Sequence, residues 1–284
     1  MDKKVTCRAK VIAERLGISL DRLNGTGNNG EITVNDVKRA VLFGTNAAKA
    51  SAYDSTKPDE IKKMTSMQRT ICRSMQESLE GTAQATNKFE ADITELVELY
   101  KKLKPKYAAA GIKLSYTALF IKALAMALEN HPMVRVQYVD EETLRIPKDI
   151  SIGCAVDIPD GLVVPVIRNA NLKDLRTICL ELFDLTNKAK NNGLTMDDFG
   201  NASMSITNLG MFGATYSTPV LNSPEAMILG SGSIMQVLRM KNGIMTPVQI
   251  VNFSLTTDHR IIKDSDAALF MADFIGGLKE FKWI

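Results

Sequence analysis

One histidine lies where it could move a proton. His259 follows an apolar run that ends in Thr257 and Asp258, and Arg260 comes directly after it. Imidazole exchanges a proton near neutral pH, which makes histidine a common general base or acid. An ion pair between Asp258 and Arg260 could fix the backbone around it. The alternative is a surface histidine in a charged turn, and the local pattern leaves both interpretations open.

A hydroxyl group at the end of a predicted strand is the second candidate. Residues 203–207 predict a strand, and the chain then enters a turn bounded by Gly210 and Gly213. The hydroxyl of Thr207, at the end of this strand, could donate a hydrogen bond to a developing oxyanion. The alternative is a purely structural strand and turn in which the Thr207 hydroxyl is satisfied locally.

Two further motifs contain glycine. Residues 160–168, Asp-Gly-Leu-Val-Val-Pro-Val-Ile-Arg, predict only a turn followed by an apolar strand. Residues 25–30, Gly-Thr-Gly-Asn-Asn-Gly, match the glycine spacing of dinucleotide-binding loops. No predicted strand precedes them in a βαβ unit, so we do not interpret this loop as a nucleotide site.

The bulk composition excludes several classes of protein. A chain of 284 residues suggests one or two domains. A net charge of +3 without interleaved basic and aromatic residues argues against nucleic acid as a partner. Four separated cysteines and two histidines argue against a metal site and are typical of free thiols. No apolar run approaches the roughly 18–20 residues of a membrane helix. We therefore expect a cytoplasmic protein with no membrane partner.

The hydrophobic patterns predict two folded parts joined by a linker. Residues 1–43 predict two short helices around the glycine loop, the first ending at Gly17, and residues 44–58 predict a flexible linker. Residues 59–284 indicate an α/β domain with a mixed sheet covered by helices. Predicted helices cover 64–79, 117–130, 174–190 and 266–278. Predicted strands cover 151–157, 162–167, 203–207, 226–229, 234–240 and 248–256. Pro165 argues that the second strand is an edge or bulged strand.

Taken in order, the motifs at 160–168, 205–213 (SITNLGMFG) and 257–260 (TDHR) are far more specific than any one of them. They resemble the catalytic domain of the dihydrolipoamide acyltransferase (E2) family of 2-oxo acid or acetoin dehydrogenase complexes. Residues 7–43 resemble the peripheral subunit-binding domain of that family, through the glycine loop and Asp36. The resemblance implies a chloramphenicol acetyltransferase-like two-layer sandwich preceded by a small all-α domain.

The resemblance also implies a mechanism. His259 falls on the histidine of the family's Asp-His-Arg motif and would take the proton from a thiol of coenzyme A or dihydrolipoamide. Thr207 falls on the family's oxyanion-stabilising hydroxyl. In this family the two residues come from adjacent subunits, so a homotrimer is the smallest active unit. Larger cores assemble through an apolar C-terminus, which here would be Phe281, Trp283 and Ile284; these residues could equally pack on their own subunit.

Three features depart from the family pattern. The acid expected four residues after His259 is replaced by Lys263, and Asp264 comes one step later. Asp264 could substitute for it in the active site, or could serve as the N-cap of the last helix. The lipoyl domain of the family has no counterpart in these residues, so we expect a separate lipoyl carrier. Glu31 stands where the binding domain often has arginine, which leaves the choice of partner open.

Three functions are compatible with these observations. The first is an active acyltransferase, expected to transfer acetyl, that uses coenzyme A as a substrate and binds dehydrogenase components (E1, E3) through residues 7–43. The second is a scaffold that binds the same partners with weakened catalysis, because Lys263 replaces the usual acid. The third is a stand-alone acyltransferase with a small acceptor other than lipoamide. A docking domain at 7–43 has no obvious use in the third.

Overall fold

The computed structural model describes residues 3–43, 59 and 61–281. The predicted linker at 44–58, and Trp283 and Ile284 at the C-terminus, lie outside the described residues. The chain divides into a small unit, Met1–Lys63, and a large unit, Met64–Ile284. Each unit has a hydrophobic core of its own.

Two helices and a compact loop build the small unit. Helix α1 (Cys7–Arg15) begins after Thr6, whose hydroxyl accepts the Ala9 N–H. The chain leaves it through Gly17 at a φ of +66°, a conformation that glycine adopts without strain. Helix α2 spans Val34–Phe43. Six buried apolar residues form the core: Ala9, Ala13, Leu23, Ile32, Val37 and Ala40. Both helices and the stop at Gly17 agree with the sequence prediction.

Asp36 holds the glycine loop of the small unit in place. Its carboxylate is buried and accepts four hydrogen bonds of 2.7–3.1 Å, from the backbone N–H and the hydroxyl of both Thr26 and Thr33. The loop passes close to itself, because a Cβ on Gly25 would lie 2.3 Å from the carbonyl oxygen of Gly30. The glycines of this segment therefore have a role in packing the loop itself.

The described part of the large unit alternates helices with strands. The helices are α3 (Ser66–Gly81), α4 (Thr94–Ala109), α5 (Tyr116–Asn130), α6 (Leu175–Lys190) and α7 (Asp264–Glu280). The strands are β1 (Gln84–Asp92), β2 (Gln137–Tyr138), β3 (Leu144–Arg145), β4 (Ile152–Cys154), β5 (Val156–Ile158), β6 (Gly161–Val163), β7 (Val166–Ile167), β8 (Met204–Asn208), β9 (Met227–Ser231), β10 (Met235–Lys241) and β11 (Ile244–Asp258). No helix of the described chain is long and apolar enough to cross a membrane.

The main sheet is mixed, in the order β1-β11-β9-β8-β4-β7, and β10 also pairs with β11. The pairs β8–β9 and β4–β8 are parallel and the other pairs are antiparallel. The sequence motif around Pro165 is divided between β6 and β7, and β7 lies at the edge of the sheet. The predicted α/β two-layer architecture with a mixed sheet is therefore confirmed, as is the edge position after Pro165.

The two faces of the sheet differ in polarity. One face carries apolar side chains that pack against α4, α5, α6 and α7. Phe253 on β11, for example, contacts Phe120 of α5 and Phe274 of α7 edge-on, with ring centroids 5.2 and 5.1 Å apart. The opposite face carries hydroxyls and small residues, among them Thr207 on β8 and Thr256 on β11. Side chains alternate between faces along a strand, so the strand register places these hydroxyls together.

The segment 214–222 lies across this polar face. The Ser217 N–H donates to Ser254 Oγ on β11 (3.4 Å), and the Leu221 N–H donates to Gln84 Oε1 on β1 (3.1 Å). Gly230 on β9 makes room for it, because a Cβ there would lie 2.3 Å from Ser217 Oγ. The polar face is therefore partly covered by extended chain rather than by a helix.

The four predicted helices of the large unit are all present, within a few residues of their expected bounds. The sequence pattern predicts neither β1 nor α4. Strand β1 is polar along most of its length, and its nine residues are specified by their pairing with β11. Phe281, just after α7, packs against the core of its own unit.

The hydrogen bonds to Asp36 predict how the small unit responds to acid. Burial favours the neutral carboxyl, but the hydrogen bonds from Thr33 and Thr26 outweigh it and hold the pKa of Asp36 well below its usual range. Because the pKa is lower in the folded state, the ionised carboxylate stabilises the fold at pH values above the ordinary pKa near 4. This stabilisation is lost as the pH falls below that value. We expect limited proteolysis of the full chain to cut within 3–43 increasingly as the pH is lowered from about 4.

Asp36→Ala removes four hydrogen bonds to one charged group and should cost at least about 3 kcal/mol, enough to unfold so small a core. This variant should be cut within 3–43 at neutral pH while the large unit stays resistant. Asp21→Ala, an exposed acid of the same unit, is the control. Equal resistance of the Asp36 variant and the control would contradict the assigned role.

Candidate active site

An ion pair between a buried carboxylate and a partly exposed guanidinium closes the turn that carries His259. Asp258, the last residue of β11, is 2% exposed, and its carboxylate accepts hydrogen bonds from Arg260 Nε (3.0 and 3.1 Å) and Nη2 (2.6 Å). The Arg260 guanidinium also lies over the ring of Tyr138, 4.2 Å from its centroid. The ion pair expected from the sequence is therefore present. It fixes the residues on both sides of His259.

The main chain of the same turn is tied to the start of β1. The His259 N–H donates to the Ala83 carbonyl (2.8 Å), and the Ala83 N–H donates to Asp258 Oδ1 (3.3 Å). Gln84, the next residue, donates to Ser78 and Thr82 at the end of α3. These anchors lie in a part of the sequence that showed no candidate site. The only signal available was the polar character of β1, which does not by itself indicate a role.

The position of the His259 ring determines which nitrogen can act as a base. Nδ1 lies 3.1 Å from the carbonyl oxygen of Ile262, which can only accept a hydrogen bond. In the neutral ring Nδ1 therefore carries the hydrogen, and the lone pair is on Nε2. The side chain is 49% exposed, so Nε2 is accessible. This arrangement is suited to a general base and favours that interpretation over an incidental surface histidine.

Asp264 lies next to the same nitrogen. Its Oδ2 is 3.8 Å from His259 Nε2, and its Oδ1 accepts a hydrogen bond of 2.9 Å from Asn87 on β1. The N-cap alternative is wrong: Lys263 occupies the N-cap of α7, Asp264 is the first helical residue, and no side chain caps the helix. The hydrogen bond from Asn87 holds the Asp264 carboxylate toward His259.

Asp258 is kept ionised by its surroundings. Burial would raise the pKa of Asp258, but the guanidinium and N–H of Arg260, together with the Ala83 N–H, lower it overall. A carboxylate is therefore maintained beside His259 without a proton that it could exchange at neutral pH. Its role is to hold the turn.

Thr207 lies near the end of β8, at the entrance to a tightly held turn. Asn208 donates to Thr117 Oγ1 (3.0 Å) and accepts from the Gly210 N–H (2.9 Å). A Cβ on Gly210 would lie 2.5 Å from the carbonyl oxygen of Gly232, so only glycine fits there. The Thr207 hydroxyl has no hydrogen-bond partner among the residues that the structure describes. The hydroxyl is thus available to a ligand. The alternative interpretation of the sequence, a purely structural turn, requires instead that a neighbouring residue hydrogen-bonds this hydroxyl.

His259 and Thr207 do not meet within one copy of the chain. Thr207 lies opposite Gly230 on β9, and Gly230 lies opposite Ser254 on β11. His259 is five residues beyond Ser254, which with two strand spacings puts the two candidate residues roughly 20 Å apart. The turn that carries His259 and the turn that carries Thr207 are therefore two half-sites. Within the described chain, no group of three or more histidine, cysteine and acidic side chains could hold a metal ion.

Comparison with known proteins agrees with both units. Residues 56–284 match the family of 2-oxoacid dehydrogenases acyltransferase (catalytic domain), and residues 8–38 match the E3 binding domain. The acetyltransferase component of the acetoin cleaving system of Bacillus subtilis (strain 168) is 36% identical, over 94% of this chain and 67% of its own length.

Two solved structures share the fold of the large unit. The dihydrolipoamide acetyltransferase of Azotobacter vinelandii is 31% identical with a TM-score of 0.77, over 81% of this chain and 96% of that one. The cubic core of a pyruvate dehydrogenase multienzyme complex is also 31% identical, with a TM-score of 0.78 and the same two coverages. The resemblance drawn from the sequence motifs is confirmed.

The ion pair of Asp258 predicts a loss of stability on its removal. Asp258→Ala leaves the partly exposed Arg260 guanidinium without its partner and the Ala83 N–H without its acceptor, which should lower the free energy of unfolding by about 2 kcal/mol. The measurement is thermal or denaturant unfolding at a fixed protein concentration. Asp157→Ala, an exposed acid on β5, is the matched control and should change stability little. Similar curves for both variants would show that the ion pair contributes no net stability.

Proposed function

The chain belongs to the 2-oxoacid dehydrogenase acyltransferase family, and from this membership we propose that it transfers an acyl group, expected to be acetyl, between dihydrolipoamide and coenzyme A. The observation that carries the proposal is the His259 ring. Its Nδ1 faces the Ile262 carbonyl and its exposed Nε2 carries the lone pair. A base of this kind is useful because a free thiol, with a pKa near 8.5, is mostly protonated at neutral pH.

The spacing of the candidate residues supports their roles. The Azotobacter vinelandii structure concerns the role of a serine, a histidine and an asparagine in the catalytic mechanism of that protein; the serine precedes the histidine by 52 positions and the asparagine follows it by four. The same steps from His259 reach Thr207 and Lys263. A threonine provides the same hydroxyl as a serine. We therefore propose Thr207 as the oxyanion donor. Of the three positions, only Lys263 changes the chemical type of the side chain, from a neutral amide to a cation.

The proposed reaction is a direct transfer. His259 Nε2 takes the proton of the attacking thiol, and the thiolate sulfur forms a bond to the thioester carbon. The Thr207 hydroxyl donates a hydrogen bond to the resulting oxyanion, an interaction worth roughly 3–4 kcal/mol in comparable sites. The oxyanion then collapses, the bond to the original sulfur breaks, and the departing thiolate takes the proton from His259. No acyl-enzyme is formed.

We propose that the working site lies between two copies of the chain. Within one copy the two half-sites are roughly 20 Å apart along the sheet, too far for one substrate carbonyl and its attacking thiol. A cyclic homotrimer repeats one interface three times and would place His259 of one copy beside Thr207 of the next. The similar pyruvate dehydrogenase core is cubic. Trimers of this chain could assemble further in the same way.

Asp264 is proposed to replace the polar residue that Lys263 displaces. The Asn87 side chain holds Asp264 at 3.8 Å from His259 Nε2. A carboxylate at this distance favours the imidazolium that forms during transfer. A scaffold with weakened catalysis is the second candidate, because Lys263 stands at the position of that polar residue.

The small unit is proposed to dock dehydrogenase components of the E1 or E3 type. Its match to the E3 binding domain covers residues 8–38. Basic side chains remain exposed on its two helices: Arg8, Lys10, Arg15, Lys38 and Arg39. These residues could pair with acidic partner surfaces although Glu31 is acidic. The match also disfavours a stand-alone enzyme.

We propose residues 44–58 as the linker between the two units and a lipoyl carrier as the source of the dihydrolipoamide.

The cysteines Cys7, Cys72, Cys154 and Cys179 are free thiols. Free thiols are typical of a reducing compartment, and we propose the cytoplasm.

Mixed oligomers test the shared site. His259→Ala and Thr207→Val should each lower acetyl transfer from acetyl-CoA to dihydrolipoamide, the second by about 10²–10³-fold, while the oligomer persists. Co-assembly of the two variants in equal amounts should restore about a quarter of wild-type activity, because one interface in four would carry both intact residues. Separately purified variants mixed after assembly are the control. No recovery in verified mixed oligomers would place both residues in one copy, and no transfer by the wild type would favour the scaffold.

Asp264→Ala should lower the rate of transfer several-fold, because the imidazolium of His259 loses a nearby carboxylate. Lys263→Ala is the matched neighbour and should leave the rate unchanged or raise it, since it removes a like charge. The measurement is kcat for acetyl transfer in both directions at neutral pH. The reverse order of effects would show that the two residues have been assigned the wrong roles.

A further inference from the structure

A buried carboxyl group lies close to the strand that carries Thr207. Glu225, two residues before β9, is 5% exposed, and its Oε1 accepts a hydrogen bond of 2.7 Å from Asn222 Nδ2. The proposed mechanism makes no use of this group. Buried carboxyl groups are rare unless they are paired with a cation, and no ion pair involves Glu225 within the described chain.

Two buried polar atoms near this carboxyl lack a hydrogen-bond partner. Ser205 Oγ and Glu225 Oε2 are both inaccessible to solvent, and neither forms a hydrogen bond to a described residue. The Ser205 hydroxyl is nevertheless close enough to Glu225 to lower the pKa of the carboxyl. The two atoms can be paired in two ways: the Ser205 hydroxyl can donate to an ionised Oε2, or a proton on Oε2 can be donated to Ser205 Oγ. Burial without a countercharge favours the second arrangement, in which the carboxyl is neutral. Leaving them unpaired would cost about 1–3 kcal/mol each.

The groups that face Glu225 from neighbouring elements are uncharged. Asn222 comes from its own turn, Ser205 from β8, and Gln137 from β2, where it forms an isolated β-bridge with Glu225. Asp258 and Arg260 form a charged pair on the strand beside Ala226, and these two groups neutralise each other. Burial raises the pKa of Glu225 to about 7, against the smaller lowering by Ser205 and Asn222. The neutral acid is therefore a major form at physiological pH.

Ser205 connects this carboxyl to the proposed oxyanion donor. Ser205 and Thr207 are two residues apart on β8, so their side chains point to the same polar face. Ser205 is fully buried and packed, since a Cβ on the neighbouring Gly153 would lie 2.3 Å from its Oγ. A displacement of Ser205 would therefore move the end of β8 and with it the Thr207 hydroxyl.

We propose that Glu225 is a positioning residue of the acyl-transfer site: as the neutral acid it donates a hydrogen bond to Ser205 Oγ and so holds β8 and Thr207 in place for the oxyanion. Ionisation leaves a buried carboxylate without a countercharge. Such a group is relieved only by admitting water or by moving the surrounding chain. Transfer should then weaken as Glu225 loses its proton. This inference rests on the function proposed above.

The test compares the wild-type oligomer with Glu225→Gln, whose amide is permanently neutral and can still donate to Ser205 and accept from Asn222. Acetyl transfer from acetyl-CoA to dihydrolipoamide is measured from pH 6 to pH 8.5. We expect equal kcat at pH 6 and a wild-type kcat about tenfold below that of the amide variant at pH 8, with KM unchanged. Glu225→Ala should be slow at every pH. Glu141→Gln, an exposed acid, should follow the wild type.

A double variant separates positioning from a general structural effect. In the Thr207→Val background the Glu225→Gln substitution should no longer change the pH profile, because the group through which it acts is absent. Melting temperatures measured from pH 4 to pH 8.5 should show the wild type falling behind Glu225→Gln between the ordinary carboxyl pKa near 4.5 and the raised pKa of about 7, with a constant difference above that, because only in this window does the unfolded chain lose the proton that the folded chain keeps.

Three outcomes would overturn the proposal. Parallel pH profiles of kcat for the wild type and Glu225→Gln would remove the positioning role. A pH-dependent difference that persists in the Thr207→Val background would show that Glu225 does not act through Thr207. No transfer by the wild type at any pH would overturn the proposed function, and the positioning role with it.

Discussion

The bidentate ion pair between Asp258 and Arg260 is the interaction on which the His259 half-site depends. It lies where the longest strand of the sheet, β11, ends and the chain must turn before α7. The same carboxylate accepts the Ala83 N–H, and the His259 N–H donates to the Ala83 carbonyl. One buried charge therefore fixes the turn to its own strand and to the neighbouring β1. With the main chain held on both sides, the Ile262 carbonyl is placed to select the tautomer of His259.

The two faces of the sheet have different roles: the apolar face stabilises the fold, and the polar face carries the candidate catalytic hydroxyl. One face is filled by Phe253 and other apolar side chains that pack against four helices, and this face supplies the burial that stabilises the large unit. The opposite face carries the hydroxyl groups, including that of Thr207, and is partly covered by the segment 214–222. The register of β8, β9 and β11 fixes the positions of Thr207 and His259 in the sheet. The distance between the two half-sites is therefore set by strand pairing within one copy of the chain. A second copy of the chain is the simplest way to bring them together.

Two buried acids show how hydrogen bonding decides the charge of a carboxyl group. Asp36 accepts four hydrogen bonds from two threonines, and its pKa is lowered despite its burial. Glu225 has one firm donor, Asn222, and an unpaired oxygen, and its pKa is raised. Both residues lie in polar surroundings without a nearby cation. At Glu225 burial outweighs the hydrogen bonds from Ser205 and Asn222, whereas at Asp36 the four hydrogen bonds outweigh burial, and the two pKa values therefore shift in opposite directions.

The sequence by itself determined the α/β class, the helices of both units and the edge position of the strand after Pro165, because these depend on local periodicity and on the missing N–H of proline. The order of three motifs also identified the family and pointed to His259 and Thr207. Tertiary structure decided what local patterns do not contain. Strand β1 has too few apolar residues to be recognised and is defined by its pairing with β11, and Asp264 is directed toward His259 by Asn87, 177 residues away. The separation of the two half-sites likewise arises from the pairing of strands that are far apart in the chain. The tautomer of His259 depends on the Ile262 carbonyl three residues later, and its position is set by the geometry of the folded turn, which no periodicity in the sequence records.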